Sequence, residues 1–454
     1  MGADAIAPRR RRWLPDAVRA EARAMVALAL PIVLTQVGQV AMMTTDAAFI
    51  GHLGPVALAG ASLGLVLFFA VFMFAMGLLM ATAPLAAQAF GGHRPRLLRR
   101  VIRQGLWVTI VISVPSLVLL TWAEDILVLL DQPVEAVRGG AVYMTTLKWS
   151  VPFAAGFIVL RNFVSAINRP SVALWVMLAG IPLNALLDYA LIFGHLGMPR
   201  LELFGAGIAT TVVNAAMFGA LLLVAVRGRP FRRYAILGRF WRPDWEVFRQ
   251  VFRIGLPIAG IMMLEGGFFI FSFFVIGWIG TLPLAAHMVA LQIPHITFMV
   301  PLGLAQAATV RVGQAVGRRD PAGAYRAGWT AVAMGLAFMA ATTVVILLIP
   351  GPLASVFLDA GRADSAAVHA IAIQLLLFAA LFQAFDGTQA VAAGALRGLN
   401  DTTVPMGIGV VGYWGIGLTA SLLLAFDVGM GAPGIWLGFV FGLAAAATML
   451  VLRF

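Results

Sequence analysis

Between Ile254 and Gly280 the chain carries one formal charge, Glu265, set near the middle of an apolar run long enough to cross a bilayer. A carboxylate there costs on the order of 2.5–3.5 kcal/mol on insertion scales. It is kept for a proton, a cation, a cationic substrate or an internal partner. The run also has a twin. Ala29–Arg100 and Gly255–Arg326 align without a gap at an offset of 226. Pro31 then meets Pro257, Gly51 meets Gly277, Gly54 meets Gly280, Gly77 meets Gly303, Gln88 meets Gln314, Gly91 meets Gly317 and Pro95 meets Pro321. Matched Pro and Gly weigh most, because they fix backbone and not merely apolarity. The pattern is that of a duplicated membrane protein with charge buried in each half.

Composition agrees. Of 454 residues 61% are hydrophobic and 11% charged, with a mean hydropathy of +0.96, whereas soluble domains carry about 25% charged residues. Long apolar runs exclude an outer-membrane barrel, whose strands alternate. The absence of cysteine excludes disulfides and thiolate metal sites. The net charge of +12 is read as basic loops that set topology and touch anionic membrane lipid, not as a nucleic-acid surface.

The expected fold is an all-α polytopic membrane protein. Its twelve spans fall at 25–50, 56–83, 101–121, 141–163, 171–193, 205–226, 251–278, 284–309, 327–349, 367–394, 404–425 and 433–452. Residues 1–23, with Arg9, Arg10, Arg11, Arg12, Arg19 and Arg23, read as an uncleaved cytoplasmic tail, since the next apolar run is a full span. Assigning loops alternately puts all but Arg138, Lys148, Arg200 and Arg362 of the 31 basic residues on one side. The positive-inside rule then places both termini in the cytoplasm. The basic stretch 227–250 links an N-lobe, 24–226, to a C-lobe, 251–454. It is expected to lie on the membrane face with Phe231, Trp241 and Trp245 in the interface. An even number of spans per half makes the repeat parallel. Asn168 and Gly197 match Asn400 and Gly429 at an offset of 232.

Four acidic residues stand alone in apolar runs: Asp46 in span one, Asp188 in span five, Glu265 in span seven and Asp386 in span ten. Intramembrane ionisable groups mark ion or proton pathways, and a carboxyl taken out of water holds a proton more readily. No basic residue lies deep enough to pair with them; Lys148 and Arg161 are expected to snorkel from the ends of span four. Amides and hydroxyls accompany the acids: Gln36, Gln39, Thr44 and Thr45 before Asp46, Asn184 one turn before Asp188, Thr210 and Thr211 in the next span, and Gln383 and Gln389 about Asp386. Such oxygens suit a hard cation or a titrating proton site. Gln36, Gln39, Gln383, Gln389 and Met263 are candidate walls of a substrate cavity. His287 and His295, eight residues apart without a third ligand, read as core histidines. Pro31, Pro152, Pro182, Pro257, Pro301 and Pro405 are expected to kink spans. There is no P-loop, HExxH or GxSxG, hence no enzyme signature and no nucleotide module, which leaves an ion gradient as the energy source.

These motifs resemble the multidrug and toxic compound extrusion (MATE) family in its NorM-type branch. The resemblance rests on LPIVLTQVGQ and TTDAAFIGHLGPVALAG within Leu30–Gly60, GLPIAGIMMLEGGFF in the second half, and AAHMVALQI and FMVPLGLAQAATVRVGQAVG within Ala285–Gly317. FDGTQAVAAGALRGLNDTTVPM at Phe385–Met406 adds to it. It implies two parallel-related six-helix lobes in a V, a monomer in the bacterial inner membrane, and export of small cationic drugs against Na⁺ or H⁺, with no cofactor beyond the coupling ion. It also implies a C-lobe cation site at Glu265 and Asp386, with Na⁺ as one occupant, and an N-lobe site at Asp46, Asn184, Asp188 and Thr210. The nearest alternative, a flippase for lipid-linked precursors, calls for a cationic cavity, and the buried charges here are acidic. A channel needs no competition between ion and drug.

Overall fold

A computed structural model describes residues 15–358 and 365–454; Arg9, Arg10, Arg11, Arg12 and Arg362 lie outside them. The described residues form twelve helices long and apolar enough to span a membrane. They are α1 (Asp16–Gly51), α2 (Pro55–Gly91), α3 (Pro95–Thr121), α4 (Val134–Ala166), α5 (Ser171–Phe193), α6 (Glu202–Arg227), α7 (Trp245–Ile279), α8 (Thr281–Gly317), α9 (Pro321–Leu348), α10 (Ser365–Gly398), α11 (Thr403–Asp427) and α12 (Ala432–Arg453). The first span begins earlier than its apolar residues imply, because Glu21 is buried in the structure rather than solvated in a tail. Pro31, Pro182, Pro257 and Pro301 lie inside helices. Within α4, Pro152 directly follows a 3₁₀ turn at Lys148–Ser150 that interrupts the α-helix, whereas Pro405 falls in the first turn of α11 and interrupts nothing. Within α11, Val410–Leu418 and Leu423–Asp427 are π-helical.

The duplication extends to the backbone. Gly54 and Gly280 have φ of 111° and 156°, His93 and Arg319 53° and 57°, Asn168 and Asn400 61° and 62°, and Gly197 and Gly429 78° and 79°. Each pair turns the chain at the same point of its half, in a region of φ that is uncommon for residues other than Gly.

The halves meet at the end where α1 and α7 begin. A Cβ on Gly91 would lie 2.1 Å from the Gln314 carbonyl oxygen, and one on Gly317 would lie 2.1 Å from that of Gln88. The two Gln side chains repeat the symmetry. Gln88 donates to Gly398 O (2.9 Å) and accepts from Asn400 (2.9 Å), while Gln314 donates to Ala166 O (2.9 Å) and to Asn168 Oδ1 (3.0 Å). A bidentate Arg311–Glu21 pair, 2.8 and 2.6 Å, adds an asymmetric tie. Towards the other end the halves part. Near its start α1 buries Met25, Leu28, Ala29 and Ile32; past Gln39 it buries only Met42, Asp46 and Ile50, and Met43 and Ala47 are exposed.

The linker binds the N-lobe more closely than expected. Phe231 and Tyr234 are buried against Phe163, with ring centroids 6.2 and 5.7 Å away. Phe231 is therefore a core residue and not a membrane anchor. Trp241 and Trp245 are 83% and 62% exposed, as an interfacial pair requires. Phe240 stacks on Trp107 and accepts its indole N–H (3.0 Å), and Asp244 caps α7 while pairing with Arg100.

Two outcomes follow. The pairing holds the Asp244 carboxyl below its usual range, so its contribution is present above the ordinary carboxylate range and lost as pH falls through the lowered value. With Arg100 partly exposed, Asp244→Asn should cost a few tenths to about 1 kcal/mol at neutral pH, a deficit in the thermal midpoint that narrows in strong acid. Gly317→Val should push the closed end apart. With no native cysteine, an Ala87→Cys reporter, buried beside Gly313, should then react with a water-soluble maleimide about tenfold faster, matching an overpacking cost of about 1–3 kcal/mol.

Candidate functional site

In the C-lobe, α7 and α10 bring Glu265 and Asp386 to opposite sides of one amide. Gln389 Nε2 donates to Glu265 Oε1 at 3.0 Å and to Asp386 Oδ1 at 3.3 Å, and its Oε1 accepts from the Tyr413 hydroxyl at 2.8 Å. Asp386 and Gln389 are 5% and 2% exposed, while Glu265 is half-buried. Glu265 lies where the packed face of α7, marked by Phe268 and Ser272, gives way to the half-buried Met262 and Phe269. Tyr413 comes from the first π-helical stretch of α11, a backbone form that recurs at functional sites. Its neighbour Trp414 donates to Leu264 O at 3.0 Å and so ties that stretch to the turn carrying Glu265.

The N-lobe repeats the arrangement at other positions. Asn184 Nδ2 donates to Asp46 Oδ1 and, at 2.7 Å, to Asp188 Oδ2. Thr210 reaches Asp46 Oδ2 at 3.4 Å from α6. Asp46 is 7% exposed, and Asn184 and Asp188 are fully buried. Tyr143 of α4, also fully buried, faces Asp46 and Thr210. The buried Asn184 Oδ1 and Asp188 Oδ1 have no hydrogen-bond donor. Among the described residues no Lys, Arg or His pairs with any of the four carboxylates.

The sequence-predicted residues divide accordingly. Asp46, Asn184, Asp188 and Thr210 come together, as do Glu265, Asp386 and Gln389. Gln383 does not join them: it accepts from Thr297 and donates to Thr343, a tie between α8, α9 and α10. Met263 lies on a stripe with Leu256, Ile270 and Phe274 that is exposed along the whole of α7, including the end where the halves are packed. Two residues from Glu265, Met263 does not share the face that carries the acid. Gln39 lies on the cleft face of α1 with Met43 and Ala47 by helical spacing. Gln36 shares that face and accepts from Arg161 at 3.1 Å. Arg161 does not snorkel: it is 6% exposed inside the N-lobe. His287 is a satisfied core residue, accepting from Trp436 at 3.1 Å with Ser272 at 3.3 Å, whereas His295 is exposed. Spacing could not single out Tyr143 and Tyr413, two aromatics among many.

Among the described residues no three His, Cys, Asp or Glu gather to hold a metal. An ion here would need carboxylate, amide and hydroxyl oxygens together, the donor set of Na⁺ or a proton and not of a transition metal. The N-lobe fits, with two buried oxygens lacking donors. In protein carrying Asp386→Asn, replacing K⁺ by Na⁺ at constant ionic strength should raise the thermal midpoint, by about 1.4 kcal/mol of stability at ten times Kd. Adding Asp188→Asn should abolish the rise. A rise that survives Asp188→Asn would place the ion elsewhere.

The MatE family model matches residues 31–190 and 257–423, one stretch in each half. The chain is 46% identical over 437 residues to a probable multidrug resistance protein NorM of Mesorhizobium japonicum, covering 96% of this chain and 94% of that protein. A protein of the same name from Bradyrhizobium diazoefficiens is 45% identical over 427 residues, 94% of this chain and 91% of that one. The fold is similar to that of an outward-facing multidrug resistance MATE family transporter of the MOP superfamily, with a TM-score of 0.86 at 21% identity over 95% of both chains. It is also similar to a eukaryotic MATE transporter, with a TM-score of 0.83 at 22% identity over 96% of both chains. These relatives are named as transporters or resistance proteins, not enzymes.

Proposed function

The chain belongs to the MatE family, and from that premise we propose that it is a multidrug antiporter of the bacterial inner membrane, exporting lipophilic organic cations in exchange for Na⁺ or H⁺. The observation that carries the reading is the pair of amide-bridged carboxylate clusters, one per lobe, set in membrane-length helices with no ion pair to a basic side chain among the described residues. A small ion and an organic cation compete for that negative charge, so each displaces the other. With both termini cytoplasmic, the packed end of the lobes faces the cytoplasm and the cleft opens outward, the state that releases drug and takes up the ion. One charge moving inward across 100 mV supplies about 2.3 kcal/mol, roughly a fiftyfold concentration ratio. Monomer is the expected working unit, since each lobe carries its own complete cluster.

Ethidium efflux from a pump-deficient bacterial strain, with Na⁺ and pH gradients imposed separately, tests this. At least one gradient alone should drive efflux; efflux indifferent to both would sink antiport. Asp386→Asn and Asp188→Asn, assayed apart, should lower gradient-driven efflux at least tenfold in whichever lobe couples.

A further inference from the structure

The same bridge occurs in both lobes, one amide N–H₂ donating to two carboxylates, but the far side of the amide differs. In the N-lobe the Asn184 oxygen has no partner. In the C-lobe the Gln389 oxygen is held by Tyr413 at 2.8 Å. An ionised carboxylate only accepts, so with Glu265 and Asp386 ionised, the state a cation would meet, Gln389 turns its nitrogen towards the acids and its oxygen towards the phenol. Both of its N–H groups are used on the acids, in the space a cation would otherwise occupy.

A metal cation between these carboxylates needs oxygen and not N–H from the amide. Gln389 can supply oxygen only by turning over. Its nitrogen would then donate to Tyr413, whose own O–H would lose its acceptor. Tyr413 is 1% exposed and this is its one hydrogen bond among the described residues, so an orphaned buried hydroxyl opposes the turn. We propose that Tyr413 is a positioning residue that holds Gln389 as a built-in substitute for the cation, and so weakens metal-cation binding at Glu265 and Asp386. The N-lobe amide, whose oxygen already lacks a partner, carries no such restraint. Around Gln389 the charged and titratable groups are Glu265 from α7, Asp386 and, electrostatically linked to Glu265, Arg397 from α10, and Tyr413 from α11.

The inference rests on the reading that these acids take up a cation. Its test is Na⁺ binding to purified full-length protein at fixed pH and ionic strength, followed by tryptophan fluorescence, since Trp414 adjoins Tyr413. The Asp188→Asn background silences the N-lobe. Tyr413→Phe should tighten Na⁺ binding about tenfold, the ratio that corresponds to 1.4 kcal/mol. Gln389→Met should erase that difference, so that Gln389→Met with and without Tyr413→Phe bind Na⁺ alike. That is the mark of a residue acting through Gln389 and not through packing. Measurable Na⁺ affinity left unchanged or weakened by Tyr413→Phe overturns the inference alone. Binding that appears only with Tyr413→Phe supports it. Binding in neither protein overturns both it and the cation reading of the C-lobe.

Discussion

Two unit charges of like sign 5 Å apart repel by about 3 kcal/mol at an effective dielectric of 20, and a bilayer offers no water to relieve them. A hydrogen bond to a charged group returns about 1.5–3 kcal/mol, so one amide donating twice offsets much of that repulsion without adding a charge. Asn184 between Asp46 and Asp188, and Gln389 between Glu265 and Asp386, are that device. An arginine would neutralise the pair and remove the reason for a cation to enter. Leaving the acids bare would threaten the fold. An amide lies between these limits, offsetting repulsion while leaving the acids' negative charge in place. In each half the amide and one acid share a helix a single turn apart, and the second acid arrives on the first helix of that half.

What the sequence revealed follows from how anomalous each residue is. A carboxylate in an apolar span is conspicuous, and all four were placed with their neighbours by spacing and resemblance. Paired Gly and Pro gave the duplication, and paired positive φ angles bear it out. Gln383 and Gln389 flank Asp386 symmetrically in sequence, yet a helix turns one towards Glu265 and the other towards Thr297 and Thr343. Such a choice depends on helix rotation within the bundle, which apolar residues on every face leave undefined. Tyr413 was invisible for another reason: its direction is set by a π-helical stretch, and no periodicity announces one. Arg161 misled because a basic residue near a span end ordinarily reaches water; here it is buried inside the N-lobe and donates to Gln36 instead. Phe231 misled likewise, since an aromatic beside arginines fits an interface as well as a small core.

The two copies have kept different things. At the closed end the contact is self-complementary, Gly91 against Gln314 and Gly317 against Gln88. A side chain on either glycine would meet backbone, so both copies are held to the same residues. The acids are under no such rule. At the duplication offset Asp46 corresponds to Ser272, which now supports the His287–Trp436 core, and Glu265 corresponds to Gln39 on the cleft face of α1. Each first helix thus has two corresponding positions two turns apart, and each half has put its acid at the one where the other carries a neutral polar residue.

That exchange sets the depths of the two clusters. Seven residues of helix amount to about 10 Å along the axis, so the C-lobe acids lie about 10 Å further from the open end than the N-lobe acids. Across a hydrocarbon core of about 30 Å that is about a third of the membrane field. If the open end faces outside, as proposed, a cation entering from it would gain about 0.8 kcal/mol more per 100 mV at Glu265 and Asp386 than at Asp46 and Asp188. The deeper pair is the one whose amide is pinned by a tyrosine, and the shallower pair is the one whose amide is free. On the proposed reading depth would favour the ion where the pinned amide resists it, and the two differences would pull the clusters towards comparable occupancy under voltage and apart without it.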